Sequence, residues 1–275
     1  MSLKTYHAWR NLAPDARGAA VAYGNFDGLH LGHQHVIADA AKAAKRLGAQ
    51  RLYLVPFGHE MAGLSDRDFV KDVLVAGLGV RHVAVGFDVT YGKGRTGNPQ
   101  AMQRCGEEFG FSVSVTPEVD AEDGLKISST GVRHLLHEGK PGEAARILGR
   151  PFAIEGLVQK GRQLGRKLGF PTANVPLAEY VAPKFGVYAT RTRLKGGREL
   201  DGVANIGANP TTGEVEPRLE VWLFDFDEDI YGETIETDLI AFLRPEVKFA
   251  GGVEEMVAQI HQDARDAKQI LGVEE

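Results

Sequence analysis

The sequence predicts a two-domain protein, an α/β half with a parallel sheet followed by an antiparallel β-barrel that ends in a helix. Three observations carry this. The chain has 275 residues, about twice a common domain length. Its first half alternates apolar runs with amphipathic helical patterns, which builds βαβ units. After Gly149-Arg150-Pro151 short strands separated by glycine turns take over, as in barrels and sandwiches. The boundary therefore falls near 149–152, with domains 1–150 and 151–275.

The elements follow in order. Ala19–Gly24 reads as a buried strand, Gly32–Leu47 as an alanine-rich helix and Arg51–Phe57 as a second strand. Asp66–Leu78 forms a helix with Phe69, Val70, Val73 and Leu74 on one face. Val80–Gly86 is a strand, Pro99–Phe109 a helix and Phe111–Val115 a strand, and two short helices, Thr130–His137 and Gly142–Leu148, close the half. Strands are then expected at Phe152–Lys160, Gly186–Leu194, Gly202–Ile206, Arg218–Phe226 and Ile235–Leu243. Met256, Val257, Ile260, Ala264, Ala267 and Leu271 recur at helical spacing in a last helix, Val253–Leu271.

Composition removes several function classes. Hydrophobic residues at 43% and charged residues at 25% are those of an ordinary globular chain, so a disordered or collagen-like protein is excluded. A net charge of −5 gives no broad electropositive field, so nucleic acid is not expected as a partner, while a local anion site stays open. Cys105 is the single cysteine, so neither an internal disulfide nor a cysteine-based zinc site can form and a reducing cytoplasm is expected. No signal peptide and no membrane span are visible. Homo-oligomerisation is left open.

Two glycine-rich stretches carry the chemistry. Gly24–His33, read GNFDGLHLGH, lies between a strand and a helix, where parallel sheets hold ligands. Gly28 and Gly32 let backbone approach a phosphate at the helix N-terminus. His30 and His33, three apart, would project together and could stabilise charge on a transferring group. H-x-x-H alone favours a glycine turn with two surface histidines. Gly161–Asn174, read GRQLGRKLGFPTAN, interleaves three glycines at intervals of four with three cations, which suits a loop laid over polyphosphate. It is neither a Walker A loop nor a protein-kinase loop, because G-K-[ST] is missing. Thr172 and Asn174, two apart, face one way on an extended segment and could complete a magnesium shell. As a short string P-T-A-N is also an ordinary turn. Ser129 and Thr130 read as helix caps that, with Arg133 one turn on, could clamp phosphate.

With these residues in view, the chain resembles the bacterial bifunctional riboflavin kinase/FAD synthetase family, from about residue 19 to 271. GNFDGLHLGH is similar to the family's GxFDGxHxGH signature, a variant of the HxGH nucleotidylyltransferase motif. Residues 86–97 are similar to its GxDFxFGxxRxG loop, and Ile127–Arg133 to its ISSTxIR element. Gly161–Asn174 resembles GRxLGFPTAN of riboflavin kinases, and the similarity continues through residues 185–188, 202–207, 209–211, 219–222, 225–226, 231–232, 243–244 and 248–249.

The resemblance implies a Rossmann-like nucleotidylyltransferase domain and a kinase barrel, converting riboflavin to FMN and FMN to FAD with ATP and Mg2+. It implies Glu220, His30 and His33 as catalytic, and Thr172 and Asn174 on the metal. Nucleotide or flavin would be bound by Gly24, Phe26, Asp27, Gly28, Gly32, Asp88, Ser128, Ser129, Thr130 and Arg133 in the first site. In the second, the corresponding residues are Gly161, Arg162, Gly165, Arg166, Gly169, Pro171, Asn205, Arg244 and Phe249. Glu220 would take the proton of the attacking ribityl hydroxyl. Phe249 and the last helix would border the isoalloxazine, although core packing explains that helix equally well.

One departure bears on the second activity. Between the first helix and Arg51 the family usually carries another strand, a T-F-x-P-H-P-type loop and another helix, whereas here Lys45–Gln50 runs straight into Arg51–Val55. With this βα unit missing, the next strand is expected to take the vacant place in the sheet. The chain is then expected to make FMN well and FAD poorly or not at all. The alternatives are a kinase alone, or a non-catalytic flavin-binding regulator, against which intact Thr172, Asn174 and Glu220 argue.

Overall fold

The computed structural model describes residues 4–6, 9–24, 29–47, 51–53, 59–118, 127–161, 165, 168–178, 180–208 and 216–273. The chain folds as two compact units, Met1–Ile127 and Ser128–Glu275.

In the first unit, β1 (Lys4–Tyr6) is followed by β2 (Ala20–Tyr23), α1 (Leu31–Leu47), β3 (Arg51–Tyr53), α2 (His59–Ala62) and α3 (Asp66–Asp68). Then come β4 (His82–Gly86), α4 (Pro99–Phe109) and β5 (Ser112–Thr116). Strands β2, β4 and β5 form a parallel sheet in that order. Its centre is β4, where Val83, Ala84 and Val85 are fully buried, as a strand covered on both faces must be. Ser65 caps α3 by accepting from the Asp68 amide, and from Phe69 to Leu78 the chain continues as a π-helix rather than the α-helix expected. The apolar face read from the sequence is nonetheless the buried one, with Phe69, Val70, Val73 and Leu74 in the core.

Strand β3 does not take a place in the three-stranded sheet. It pairs in parallel with β1, Leu52 opposite Thr5, as a separate two-stranded ribbon. Residues 54–57 of the expected strand lie outside the described residues. The pairing with β1 had no sequence signal, because three residues are too few to show a period of two.

The second unit opens with α5 (Ser129–Glu138) and α6 (Pro141–Leu148). By contact both helices group with the barrel, about twenty residues before the boundary drawn from the sequence. Strands β6 (Phe152–Leu157), β7 (Thr172–Pro176), β8 (Gly186–Arg193), β9 (Glu199–Gly207), β10 (Arg218–Leu223) and β11 (Thr234–Pro245) make one antiparallel sheet, ordered β6-β11-β8-β9-β10-β7. The sheet curls until its two edges approach, where the Gln159 amide donates to the Asn174 carbonyl at 2.8 Å. Its inner face is apolar and closed, with Ile154, Val175, Ile206, Leu219, Val221 and Leu239 at 0% exposure. The final helix, α7 (Gly252–Leu271), seats Ala264 and Ala267 against Val187, Ala189 and Val203 on the outer face. Strands β8, β9 and β11 are therefore packed on both sides, and a functional group must emerge where that outer packing is incomplete, as beside β10.

Candidate functional site

That gap in the packing is a cavity of about 360 Å3 between the outer face of the barrel, the chain after β11, and α7. Gly165, Thr172, Asn205, Glu220, Arg244 and Phe249, all expected from the sequence, line it together. They come from the glycine-rich loop, four different strands and the β11–α7 connection, so the fold gathers residues up to 84 positions apart.

Strand alternation explains how Glu220 comes to face it. Leu219, Val221 and Leu223 point into the barrel core, which turns Arg218, Glu220 and Trp222 outward. Register then supplies its neighbours. Glu220 is the cross-strand partner of Asn174 on β7 and of Asn205 on β9, and Trp222 is that of Thr172. An amide on either side of a carboxylate thus forms one polar row, with the threonine hydroxyl one step along the sheet.

The loop entering this strand is folded back on itself. The Leu168 and Phe170 amides both donate to the Gly165 carbonyl, at 3.0 and 2.8 Å. A Cβ on Gly165 would stand 2.4 Å from the Phe170 carbonyl oxygen, so only glycine fits. A Cβ on Gly161 would lie 2.7–2.8 Å from the Asn174 side chain, so backbone passes directly over that amide. Asn174 is itself buried, and its Nδ2 donates to the Thr172 carbonyl at 3.3 Å. Gly169 is exposed with φ +89°, and Pro171 lines a second cavity of about 160 Å3 with Phe226, Asp227 and Tyr231. Thr172 lines both cavities. Arg162 and Arg166 lie outside the described residues.

Glu246 and Asp263 line the cavity without a sequence signal, and Phe170 and Trp222 line it from motif stretches in which they were given no role. Glu246 accepts from Asn205 Nδ2 at 3.0 Å. Asp263, 3% exposed, accepts from Arg244 Nε at 2.8 Å and Nη2 at 2.7 Å. Phe170 and Trp222 meet edge to face at 4.9 Å. Met256 and Ile260 of α7 line the cavity while Ala264 and Ala267 pack in the core, so one helix supplies both cavity wall and core.

In the first unit, His30 and His33 stack with ring centroids 3.6 Å apart and planes 20° from parallel, at the start of α1. The His33 amide donates to His30 Nδ1 at 3.3 Å. This answers the surface-turn alternative in part, since His30 is only 7% exposed. Gly24 is exposed at the end of β2 and Asp88 is exposed beyond β4, while Phe26, Asp27 and Gly28 lie outside the described residues. Ser128, Ser129, Thr130 and Arg133 belong to the second unit. There the cap is Ser128, whose Oγ accepts from the Gly131 amide at 3.1 Å, and Ser129 and Thr130 occupy the first turn.

Among the described residues, no group of three or more His, Cys, Asp or Glu side chains could hold a metal by itself. A hydroxyl, amides and one carboxylate are hard oxygen donors, and they suit a magnesium ion whose remaining ligands are phosphate oxygens.

A glycine-rich loop feeding a strand with a threonine and an asparagine, beside an outward carboxylate on an apolar cavity, has the layout of a small-molecule phosphotransferase. Comparison with known proteins narrows this. The riboflavin kinase family model matches residues 148–271, and the FAD synthetase model matches 12–51 and 41–131. The bifunctional riboflavin kinase/FMN adenylyltransferase of Escherichia coli strain K12 is 36% identical, over 93% of this chain and 94% of its own length. Those of Pseudomonas fluorescens and Bacillus subtilis strain 168 are 35% and 34% identical, over 94% and 90% of this chain and 95% and 91% of their own. A crystal structure described as a macrolide-efflux protein from Streptococcus pneumoniae superposes with a TM-score of 0.79 at 28% identity, over 95% of this chain and 97% of that one. The chain belongs to the bifunctional riboflavin kinase/FMN adenylyltransferase family.

The alignment with the Escherichia coli protein runs over 295 positions, although 93% of this chain is only about 256 residues. Roughly 40 positions of that relative therefore have no counterpart here, and the FAD synthetase model is matched in two pieces that meet at residues 41–51.

Proposed function

We propose that the protein makes flavin cofactors in two ATP-dependent steps, phosphorylating riboflavin to FMN in the barrel and adenylylating FMN to FAD in the α/β unit, with the functional boundary near residue 150. The observation that carries the kinase half is the cross-strand row Asn174–Glu220–Asn205, of which Glu220 and Asn205 line the cavity, next to a threonine shared by two cavities.

Riboflavin occupies the larger, more apolar cavity, with its ring between Phe249 and α7 and its ribityl chain directed toward Glu220. ATP lies on the side of the smaller cavity, under the loop from Gly161 to Pro171, with the cations of that loop on its phosphates. Thr172 and Asn174 hold the magnesium of Mg-ATP together with phosphate oxygens. Glu220 takes the proton from the terminal ribityl hydroxyl, that oxygen bonds to the γ-phosphorus, and the bond to the ADP oxygen breaks. Such transfer depends mostly on positioning and charge neutralisation.

In the second step an FMN phosphate oxygen attacks the α-phosphorus of ATP and pyrophosphate leaves. His30 and His33 donate to the phosphates as negative charge builds. Gly24 and Gly32 border the phosphates, and Asp88 contributes to nucleotide or flavin binding. The expected setting is the cytoplasm, with small molecules and not nucleic acid as partners. No helix among the described residues is long and apolar enough to cross a membrane.

Incubation with riboflavin, ATP and magnesium, resolved by chromatography, tests the reading. FMN and then FAD is the expected outcome. FMN alone restricts the activity to the barrel, and unchanged riboflavin overturns it.

A further inference from the structure

We infer that Asp263 is a positioning residue for flavin binding, acting through Arg244; the inference rests on the riboflavin kinase reading of the barrel. Arg244 stands near the end of β11, and Asp263 lies in the fourth turn of α7. The chain between them runs through Glu246, Val247 and Phe249, all on the cavity wall, before it turns into the helix. The Arg244–Asp263 contact therefore fastens the two ends of the segment that closes the cavity.

Its geometry is that of an orienting device. Two parallel N–H donors of the guanidinium meet the two carboxylate oxygens, at 2.8 Å to Oδ1 and 2.7 Å to Oδ2, which sets the plane of the group as well as its position. Gln259, one turn earlier on α7, donates to Oδ1 at 2.9 Å and fixes the carboxylate in turn. Arg244 Nη1 donates to the Pro245 carbonyl at 3.1 Å. A guanidinium has five N–H donors, so with three engaged among the described residues two remain, on a side chain that lines the cavity. The guanidinium also lies 5.9 Å from the centroid of the Phe249 ring. An aromatic face beside a fixed pair of donors matches a flat heteroaromatic ring with carbonyl acceptors on one edge, as the pyrimidinedione edge of a flavin has.

A buried ion pair is poor evidence for stability by itself, since desolvation offsets much of the attraction. With its carboxylate at 3% exposure, this pair is better explained by the orientation it enforces.

The test measures riboflavin affinity directly, by quenching of flavin fluorescence, alongside steady-state KM and kcat for riboflavin and for Mg-ATP, on the full chain. In Asp263→Asn the riboflavin Kd and KM should rise about tenfold, with the KM for Mg-ATP and kcat changed less than about threefold, a loss of binding without loss of chemistry. In an Arg244→Lys background, which already lacks the planar fork, Asp263→Asn should add less than about twofold. If Asp263→Asn does not fold, Asp263→Glu keeps the charge in the helix and should raise the riboflavin Kd by at least about threefold through misalignment alone. Unchanged riboflavin affinity in a folded variant, or equal and additive losses in both backgrounds, overturns the inference. A wild-type chain that binds riboflavin tightly and never phosphorylates it would instead overturn the kinase reading and leave the Asp263 test standing on affinity alone.

Discussion

Glu220 on β10 and Asn174 on β7 are direct partners across an antiparallel pair, so a carboxylate and a buried amide share one face of the barrel. The opposite face of the same strand carries Leu219 and Val221, both fully buried. Neighbouring positions on one strand therefore have separate tasks, and substitutions there should separate chemistry from folding.

Glu220→Gln keeps the volume and removes the base. FMN formation should fall by ~10²–10⁴ while the unfolding temperature stays near that of the parent. Stopped-time chromatography of FMN with a thermal melt checks both, and a rate above about half of wild type removes Glu220 from the role of base.

Leu219→Ala is the counterpart one residue away. It opens a cavity in a core position at 0% exposure and should cost about 2–5 kcal/mol in a urea titration of unfolding. The surviving folded fraction should phosphorylate riboflavin at close to the parental rate per active molecule.

Thr172→Ala and Asn174→Ala should each move the magnesium dependence of FMN formation to higher metal concentration. The riboflavin KM should change little, because the donors lost are those for the metal and phosphates. Titrating magnesium at fixed ATP reads this directly, and an unaltered metal dependence would place both side chains outside the metal shell.

Gly32→Ala tests the α/β unit alone. A Cβ there would lie 3.2 Å from the His30 ring, so the imidazole must shift by a few tenths of an ångström. FAD formation from FMN and ATP should drop on the order of tenfold, since misplaced catalytic groups lose rate steeply. FMN formation in the same preparation should be unaffected.

The parent chain supplied with FMN and ATP should form FAD more slowly than it forms FMN from riboflavin. The reason is the family segment expected between α1 and β3 and missing here, where the FAD synthetase model is matched in two pieces and β3 pairs with β1 instead of extending the three-stranded sheet. Equal rates would show that the α/β site is complete without that stretch.

What the sequence determined by itself is what short-range pattern can express. Apolar periodicity marked the alternation in the first half, five of the six strands of the second (β7, Thr172–Pro176, was not expected) and the apolar face of residues 66–78, because the burial of a face depends on spacing within one element. The two glycine-rich stretches were legible because close backbone approach to a ligand or to neighbouring backbone restricts residue type at each position, as at Gly165. The tertiary structure alone decided the rest. Asp263 reads as an ordinary helical acid until α7 folds back on β11 and brings it to Arg244, 19 residues away. Glu246 meets Asn205 across 41 residues, and Thr172 comes to line two cavities only when the sheet has curled. The short strands β1 and β3 found each other for the same reason. A single strand or helix specifies which of its faces is buried, but which buried faces meet depends on packing between distant elements, and that energy exists only once the chain has closed on itself.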